Sequence, residues 1–295
     1  MLRSPVDALV SALLPALCVL CGSPLPRLSS APICDVCWME SPSESGAVCD
    51  RCGDSLMEPG GAQVSRLCRA CRLVPPPYQR AVAYAIYQGR LREAIHALKY
   101  GRLHPVARSL GRMLATAIAG LAQESPKDML VVPVPLHRSK LSQRGFNQAR
   151  LLAREALRLL GRSHPAWRLT LAPGTLMRLR ETKSQAGLTP RQRRLNVRGA
   201  FSVSNPGAVS GRHVLLVDDI MTTGATARAA AQALLRAGAE SVRVATLARA
   251  RRMYAESRVS FEDAEDGHRP VGESAVPMHG AVVRSTSSVA SQPPF

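Results

Sequence analysis

Val214-Leu215-Leu216-Val217-Asp218-Asp219-Ile220-Met221-Thr222-Thr223-Gly224-Ala225-Thr226 is the stretch from which the rest of this 295-residue chain can be read. Val214 to Val217 form a continuous apolar run, as expected of a short parallel strand buried on both faces. Asp218 and Asp219 sit where that strand should end. A turn rich in hydroxyls follows from Thr222 to Thr226, then an alanine-rich helical run from Ala227 to Ala237 closed by Gly238. A helix N-terminus presents unpaired N–H groups and the positive end of a dipole, so it holds a phosphate. Gly224 lets the backbone come close, and the threonine hydroxyls add neutral donors. Carboxylates one turn upstream would repel that phosphate but accept hydrogen bonds from neutral hydroxyls. A ligand carrying both ribose hydroxyls and a phosphate satisfies the two halves.

Upstream, Leu73-Val74-Pro75-Pro76-Pro77 is a stiff boundary. Ala81 to Tyr87 reads as a strand, Leu91 to Tyr100 as a helix, and Val106 to Leu121 as a second helix. Lys99 and Arg102, at the end of the first helix, suit either an anion contact or a solvated helix end. Leu130 to Pro135 reads as a buried strand entering a proline-fixed turn, followed by a basic stretch and a helix through Leu160. Val242 to Leu247 completes a further strand–helix–strand unit. Beyond Arg252 the chain turns polar, with six acids against three arginines, a composition expected to be disordered. The reading divides the chain into 1–74, 78–250 and 253–295.

The formal charge is +18, and its distribution is uneven. From Leu136 to Ala200 there are fifteen Lys/Arg against two acids, a net of +13. Such a field favours polyanions, whether a pyrophosphate or a nucleic-acid backbone, although an arginine-rich solvated surface would look the same in sequence. Aromatics are only 4% of the chain, which weighs against a base-stacking platform. No apolar run approaches the roughly 18 residues of a membrane span. The apolar segment Ala8 to Leu14 mimics a secretory signal, but Asp7 and Pro15 spoil it, and a short packing helix is expected instead.

All eight cysteines fall in C-x-x-C pairs: Cys18/Cys21, Cys34/Cys37, Cys49/Cys52 and Cys68/Cys71. This spacing brings both sulfurs of a knuckle to one tetrahedral zinc at about 2.3 Å. The alternative, disulfides, fits poorly with the cytoplasmic setting expected for the chain. Cys21-Gly22-Ser23-Pro24-Leu25 resembles Cys52-Gly53-Asp54-Ser55-Leu56, which favours two consecutive ribbons; interleaved pairing stays open. Four thiolates close each zinc sphere, so both ions are expected to be structural.

The stretch from Val214 to Thr226 resembles the phosphoribosyl-pyrophosphate (PRPP) signature of type I phosphoribosyltransferases. VPVPLHRSKLSQRGFNQA, Val132 to Ala149, narrows the resemblance to the ComF/GntX family, whose members join a cysteine-rich ribbon to such a domain. Arg178, Arg180, Thr182, Gln185 and Leu188, then Arg194, Asn196, Gly199, Ala200 and Phe201, continue that family's pattern. The resemblance implies an α/β type I phosphoribosyltransferase fold, a Rossmann-like parallel sheet with flanking helices, preceded by a small double zinc ribbon.

It also implies roles. Thr222, Thr223, Gly224, Ala225 and Thr226 would hold the 5-phosphate of PRPP, and Asp218 and Asp219 its ribose hydroxyls. Arg138, Lys140 and Arg144 would meet pyrophosphate, with Mg2+ bridging ligand oxygens. Arg178, Arg180 and Lys183 lie in a region that closes over the reacting centre in related transferases. The family is linked to DNA uptake, competence and nucleotide metabolism without a settled acceptor. Two functions therefore stay open: transfer or recognition of a phosphoribosyl group, and non-catalytic binding of single-stranded DNA, or of the DNA-uptake machinery, on a retained transferase fold.

Overall fold

A computed structural model describes residues 17–25, 33–39, 46–56, 66–101, 103–181 and 189–250, all within one compact unit, 1–253. Among the described residues of the cysteine-bearing segment there are two short helices, α1 (Asp35–Met39) and α2 (Arg69–Leu73). Then come β1 (Arg80–Ile86), α3 (Gly89–Tyr100), α4 (Val106–Ala119), β2 (Asp128–Pro133), α5 (Arg138–Arg144), α6 (Gln148–Ser163), β3 (Arg168–Leu171), β4 (Leu176–Arg178), α7 (Pro190–Val197), β5 (Phe201–Val203), β6 (His213–Met221), α8 (Ala225–Arg236) and β7 (Ser241–Arg249). The expected tail and the N-terminal Ala8–Leu14 segment lie outside the described residues.

Five parallel strands form one sheet in the order β1-β7-β6-β2-β3, and β4 pairs antiparallel with β5 in a separate two-stranded sheet. Successive strand residues point to opposite faces, and the core divides accordingly. Leu215 and Val217 of β6 join Leu91, Ile95 and Leu98 of α3, Leu110 and Leu114 of α4, and Leu152 and Ala156 of α6 on one face. Val214 and Leu216 join Ala227, Ala230, Ala231 and Leu234 of α8 on the other. The buried helical positions recur every three or four residues, so each helix turns one apolar stripe to the sheet.

The ribbons divide between the same two faces. Cys18 and Cys37 belong to the apolar cluster under α3, whereas Cys49, Cys52, Cys68 and Cys71 belong to the cluster under α8. Arg90 of α3 donates to the Leu20 carbonyl at 3.0 Å on the first side. On the second side Ala81 N–H donates to the Arg51 carbonyl at 3.0 Å, and the Arg228 guanidinium to those of Val74 and Pro75. Arg249, 1% exposed at the end of β7, lies 3.5 Å from Asp54 and 3.9 Å from the Cys52 sulfur.

The acid pair departs from its expected place. β6 continues through Met221, pairing with β7 at Asp218↔Thr246, Ile220↔Ala248 and Met221↔Arg249. Its pairing with β2 stops at Val217↔Pro133. Asp218 and Asp219 therefore occupy a strand, not its end, and fall on opposite faces. The last bond between the two strands is Val134 N–H to the Val217 carbonyl at 2.8 Å, and β2 leaves the sheet there.

α4 and α6 meet at Gly111, where an added Cβ would lie 2.4 Å from the Glu155 Cβ. Gly111→Ala gains about 1 kcal/mol in helix propensity but meets an atom fixed to the facing backbone, an overpacking cost of about 1–3 kcal/mol. The variant is expected to be less stable than the wild type, read as a lower urea midpoint. A higher midpoint would show that the helices separate freely.

Candidate functional site: a cavity at the sheet's C-terminal edge

Beyond Pro133 and Val217 a cavity of about 410 Å3 opens between β2 and β6. The chain leaving β2 forms α6 on one face, and the chain leaving β6 forms α8 on the other. In open parallel sheets this switch point is where ligands bind. Asp218, Asp219, Thr222, Gly224, Ala225 and Thr226 all line it, joined by Lys140 and Arg178.

Gly224 adopts φ 75°, a left-handed conformation that favours glycine, and it starts α8 without a side-chain cap. Thr223 does not line the cavity. Its Oγ1 accepts from the Ala225 N–H at 3.4 Å, so it shapes the turn from behind. Tyr78, 1% exposed, supports the same turn: its hydroxyl lies 3.4 Å from where a Cβ on Gly224 would be.

Lys99, at the end of α3, reaches Asp219 with Nζ 2.6 Å from Oδ2. Asp219 is 4% exposed, and it points to the face where α3 packs. Burial opposes the Lys99 charge, but the facing carboxylate outweighs it and raises the pKa. Among the described residues Asp218 has no ion pair that close; Lys99 and Arg178 act on it from farther away. Its Oδ1 accepts the Asp219 N–H at 2.9 Å, and burial, with the adjacent Asp219 charge, pushes its carboxyl up to about 8. The two acids thus differ: Asp219 is paired, and Asp218 favours its protonated form.

The other basic residues expected at the site separate. Lys140 is lowered by burial and by the nearby Arg178 guanidinium. Arg144 stands one layer behind the wall, donating to Gln148 Oε1 at 2.7 Å and lying 5.4 Å over the Tyr100 ring; both partners line the cavity. Arg138 is exposed and does not line it. Arg180 donates to the Asn196 and Arg198 carbonyls at 3.2 and 2.9 Å, which ties down the start of the β4–β5 excursion. Lys183, Thr182, Gln185 and Leu188 lie outside the described residues. Conversely, Arg193, Tyr87, His96 and Tyr100 line the cavity without having been singled out as ligand contacts. No spacing rule joins them to the acid pair, because they arrive from α3, α7 and the end of β1.

The cysteines form two sequential tetrads, Cys18/Cys21/Cys34/Cys37 and Cys49/Cys52/Cys68/Cys71, each with all sulfurs within 4.8 Å of one another. Cys18–Cys37, Cys21–Cys34 and Cys52–Cys68 sulfur separations are 3.9, 3.6 and 3.7 Å. The edge of a ZnS4 tetrahedron with bonds of about 2.3 Å is about 3.8 Å, so the donor set fits zinc. The knuckles repeat one hydrogen-bond pattern, with Gly22 N–H to Cys18 O and Gly53 N–H to Cys49 O, both at 2.8 Å. Interleaved pairing is thereby excluded.

A double zinc ribbon domain model matches residues 9–72, and a phosphoribosyl transferase domain model matches residues 147–269. The chain is 37% identical over 238 residues to the "DNA utilization protein YhgH" of Salmonella typhi, covering 80% of this chain and 97% of that protein. The chain belongs to the ComF family. Two more distant relatives are the "Competence protein F" of Haemophilus influenzae, 28% identical over 79% of this chain and 96% of that one, and the "Competence protein ComFC" of Bacillus subtilis, 27% identical over 74% and 84%. No helix among the described residues is long and apolar enough to cross a membrane.

Two outcomes follow for this ComF-family chain. Purified protein is expected to carry two zinc ions, and Cys49→Ser is expected to lose one of them with a fall in melting temperature, read by elemental analysis and calorimetry. The Asp218 carboxyl, raised to about 8 when folded, titrates near 4 when unfolded. Between those values the unfolded state binds fewer protons, so stability falls as pH rises. From pH 5 to 8 the wild-type melting temperature should fall by several degrees more than that of Asp218→Asn. Parallel curves would mean that Asp218 is not held protonated.

Proposed function

We propose that this chain binds PRPP at the switch-point cavity and transfers, or recognises, its phosphoribosyl group. The observation that carries this reading is the meeting of three chemistries in one cavity. A threonine-lined helix start suits the 5-phosphate, two carboxylates suit ribose hydroxyls, and Lys140 with Arg178 suits pyrophosphate.

In transfer, an acceptor nucleophile attacks the anomeric carbon as the bond to pyrophosphate breaks. Positive charge grows on the ribose ring and negative charge on the leaving oxygens. Asp218 and Asp219 suit the ring hydroxyls, and the Asp219 carboxylate, which faces Lys99, favours an oxocarbenium-like state. Lys140, Arg178 and, through Gln148 and Tyr100, Arg144 favour the departing charge. Arg138, Arg180 and Lys183 remain candidate contacts for a closed form of the site. Lys99 pairs with Asp219, and that ion pair ties α3, which supplies part of the cavity wall, to the acids.

Magnesium suits this pocket as an ion held mainly by ligand oxygens and water, because two carboxylates line it among the described residues and one is engaged by Lys99. When bound it would neutralise pyrophosphate charge. Zinc in the ribbons supports the fold, in the reducing cytoplasmic setting that free thiolates require. The relatives' names, with their words DNA utilization and competence, support a role in handling DNA that enters the cell.

Titration calorimetry with PRPP and Mg2+ tests the reading. Binding is expected, weakened at least about tenfold, or about 1.4 kcal/mol, by Asp218→Asn and by Thr226→Val. No heat with the wild type, or variants indistinguishable from it, would remove the cavity from consideration as a PRPP site.

A further inference from the structure

The basic segment from Leu136 to Ala200 does not all face the cavity. Arg150, Arg154, Arg158 and Arg162 recur every four residues along α6, and all four are exposed. Their core-facing counterparts, Leu152, Ala153, Ala156 and Leu160, are buried on the sheet. Four residues of α-helix advance about 6 Å, so the row spans about 18 Å in a slanting i, i+4 ridge. On α4, packed beside α6, Arg108 and Arg112 are exposed one turn apart. Glu155 is the one acid on either helix. It lies 3.6 Å from Arg154 and 3.5 Å from Arg158, and its single charge offsets one of the six guanidinium groups.

We propose that this arginine face of α6 and α4 is a track for the phosphate backbone of a single-stranded nucleic acid. Spacing, surface chemistry and placement point to that occupant. The arginine repeat is close to the separation of successive phosphates in an extended strand, and guanidinium groups pair with phosphate oxygens by two N–H donors. Neither helix carries an exposed large apolar side chain, so the face has nothing to insert into a lipid surface. Both helices lie flat on the sheet, and neither projects to enter a duplex groove. The row also starts beside the cavity, since Gln148, two residues before Arg150, lines it. A strand on the track would lead to the mouth of the pocket. Binding of this kind is indifferent to sequence and steep in salt.

The proposal is independent of the PRPP reading, and the test separates them. Full-length protein is titrated into fluorescent oligo-dT over a salt series, with PRPP calorimetry on the same preparations. Arg150→Gln/Arg154→Gln/Arg158→Gln/Arg162→Gln changes only exposed positions to another good helix former, so the fold should persist. Losing four phosphate contacts should make the log–log salt slope shallower by about 3 and weaken binding about tenfold or more, with PRPP heat unchanged. Glu155→Gln should tighten oligo-dT binding about two- to threefold, which provides a readout in the opposite direction. The proposal is overturned if wild type does not bind oligo-dT at about 0.1 M salt, or if the fourfold variant and Glu155→Gln both bind as wild type does. It is equally overturned if the row governs binding to phosphatidylserine vesicles but not to oligo-dT.

Discussion

The cavity exists because β6 and β7 stay paired after β2 has left the sheet at Pro133. That parting uncovers one edge of β6 over its last residues, where the chain carries Asp218 and Asp219. A parallel strand otherwise buries both faces and both edges, and two carboxylates there would need neutralising. Here the alternation of the strand separates them. Asp219 enters the α3 face and is met by Lys99, while Asp218 stays next to its neighbour and feels Lys99 and Arg178 from farther away. The resulting asymmetry, with one acid in an ion pair and the other inclined to hold a proton, comes from the alternation of the strand.

The ribbons are built into the same architecture. Each tetrad packs on a different face of the sheet, near β1, and each touches an element that shapes the cavity. The first supports α3, the source of Lys99, His96 and Tyr100. The second encloses Tyr78, whose hydroxyl stands behind Gly224, and the buried Arg249, whose strand pairs with the end of β6. Zinc bound in the tetrads would order both walls of the site from a distance, although a sphere of four thiolates leaves no open position for chemistry.

Local features were legible in the sequence. The apolar run of β6, the Gly224 turn and the cysteine knuckles each act over a few residues and are where the sequence puts them, although β6 itself runs on through Met221. The basic segment was legible only as a total charge. In three dimensions it divides: Lys140 and Arg178 turn inward, Arg180 clips the start of the β4–β5 excursion, and the α6 arginines face outward with the period of their helix. Arg138 and Arg180 are expected as ligand contacts from the family resemblance; here Arg138 stands exposed and Arg180 bonds the Asn196 and Arg198 carbonyls.

By itself the sequence determined the parallel α/β core, the strand–turn–helix that can receive a phosphate, and the paired thiols suited to zinc. All depend on residue type at short, fixed spacing. Only the tertiary structure decided which thiols share an ion, that Lys99 belongs to Asp219, and that Arg193 reaches the cavity while Thr223 stays behind it. Each of those outcomes joins elements far apart in the chain. They are set by strand order and by which face each helix covers, which no local pattern encodes.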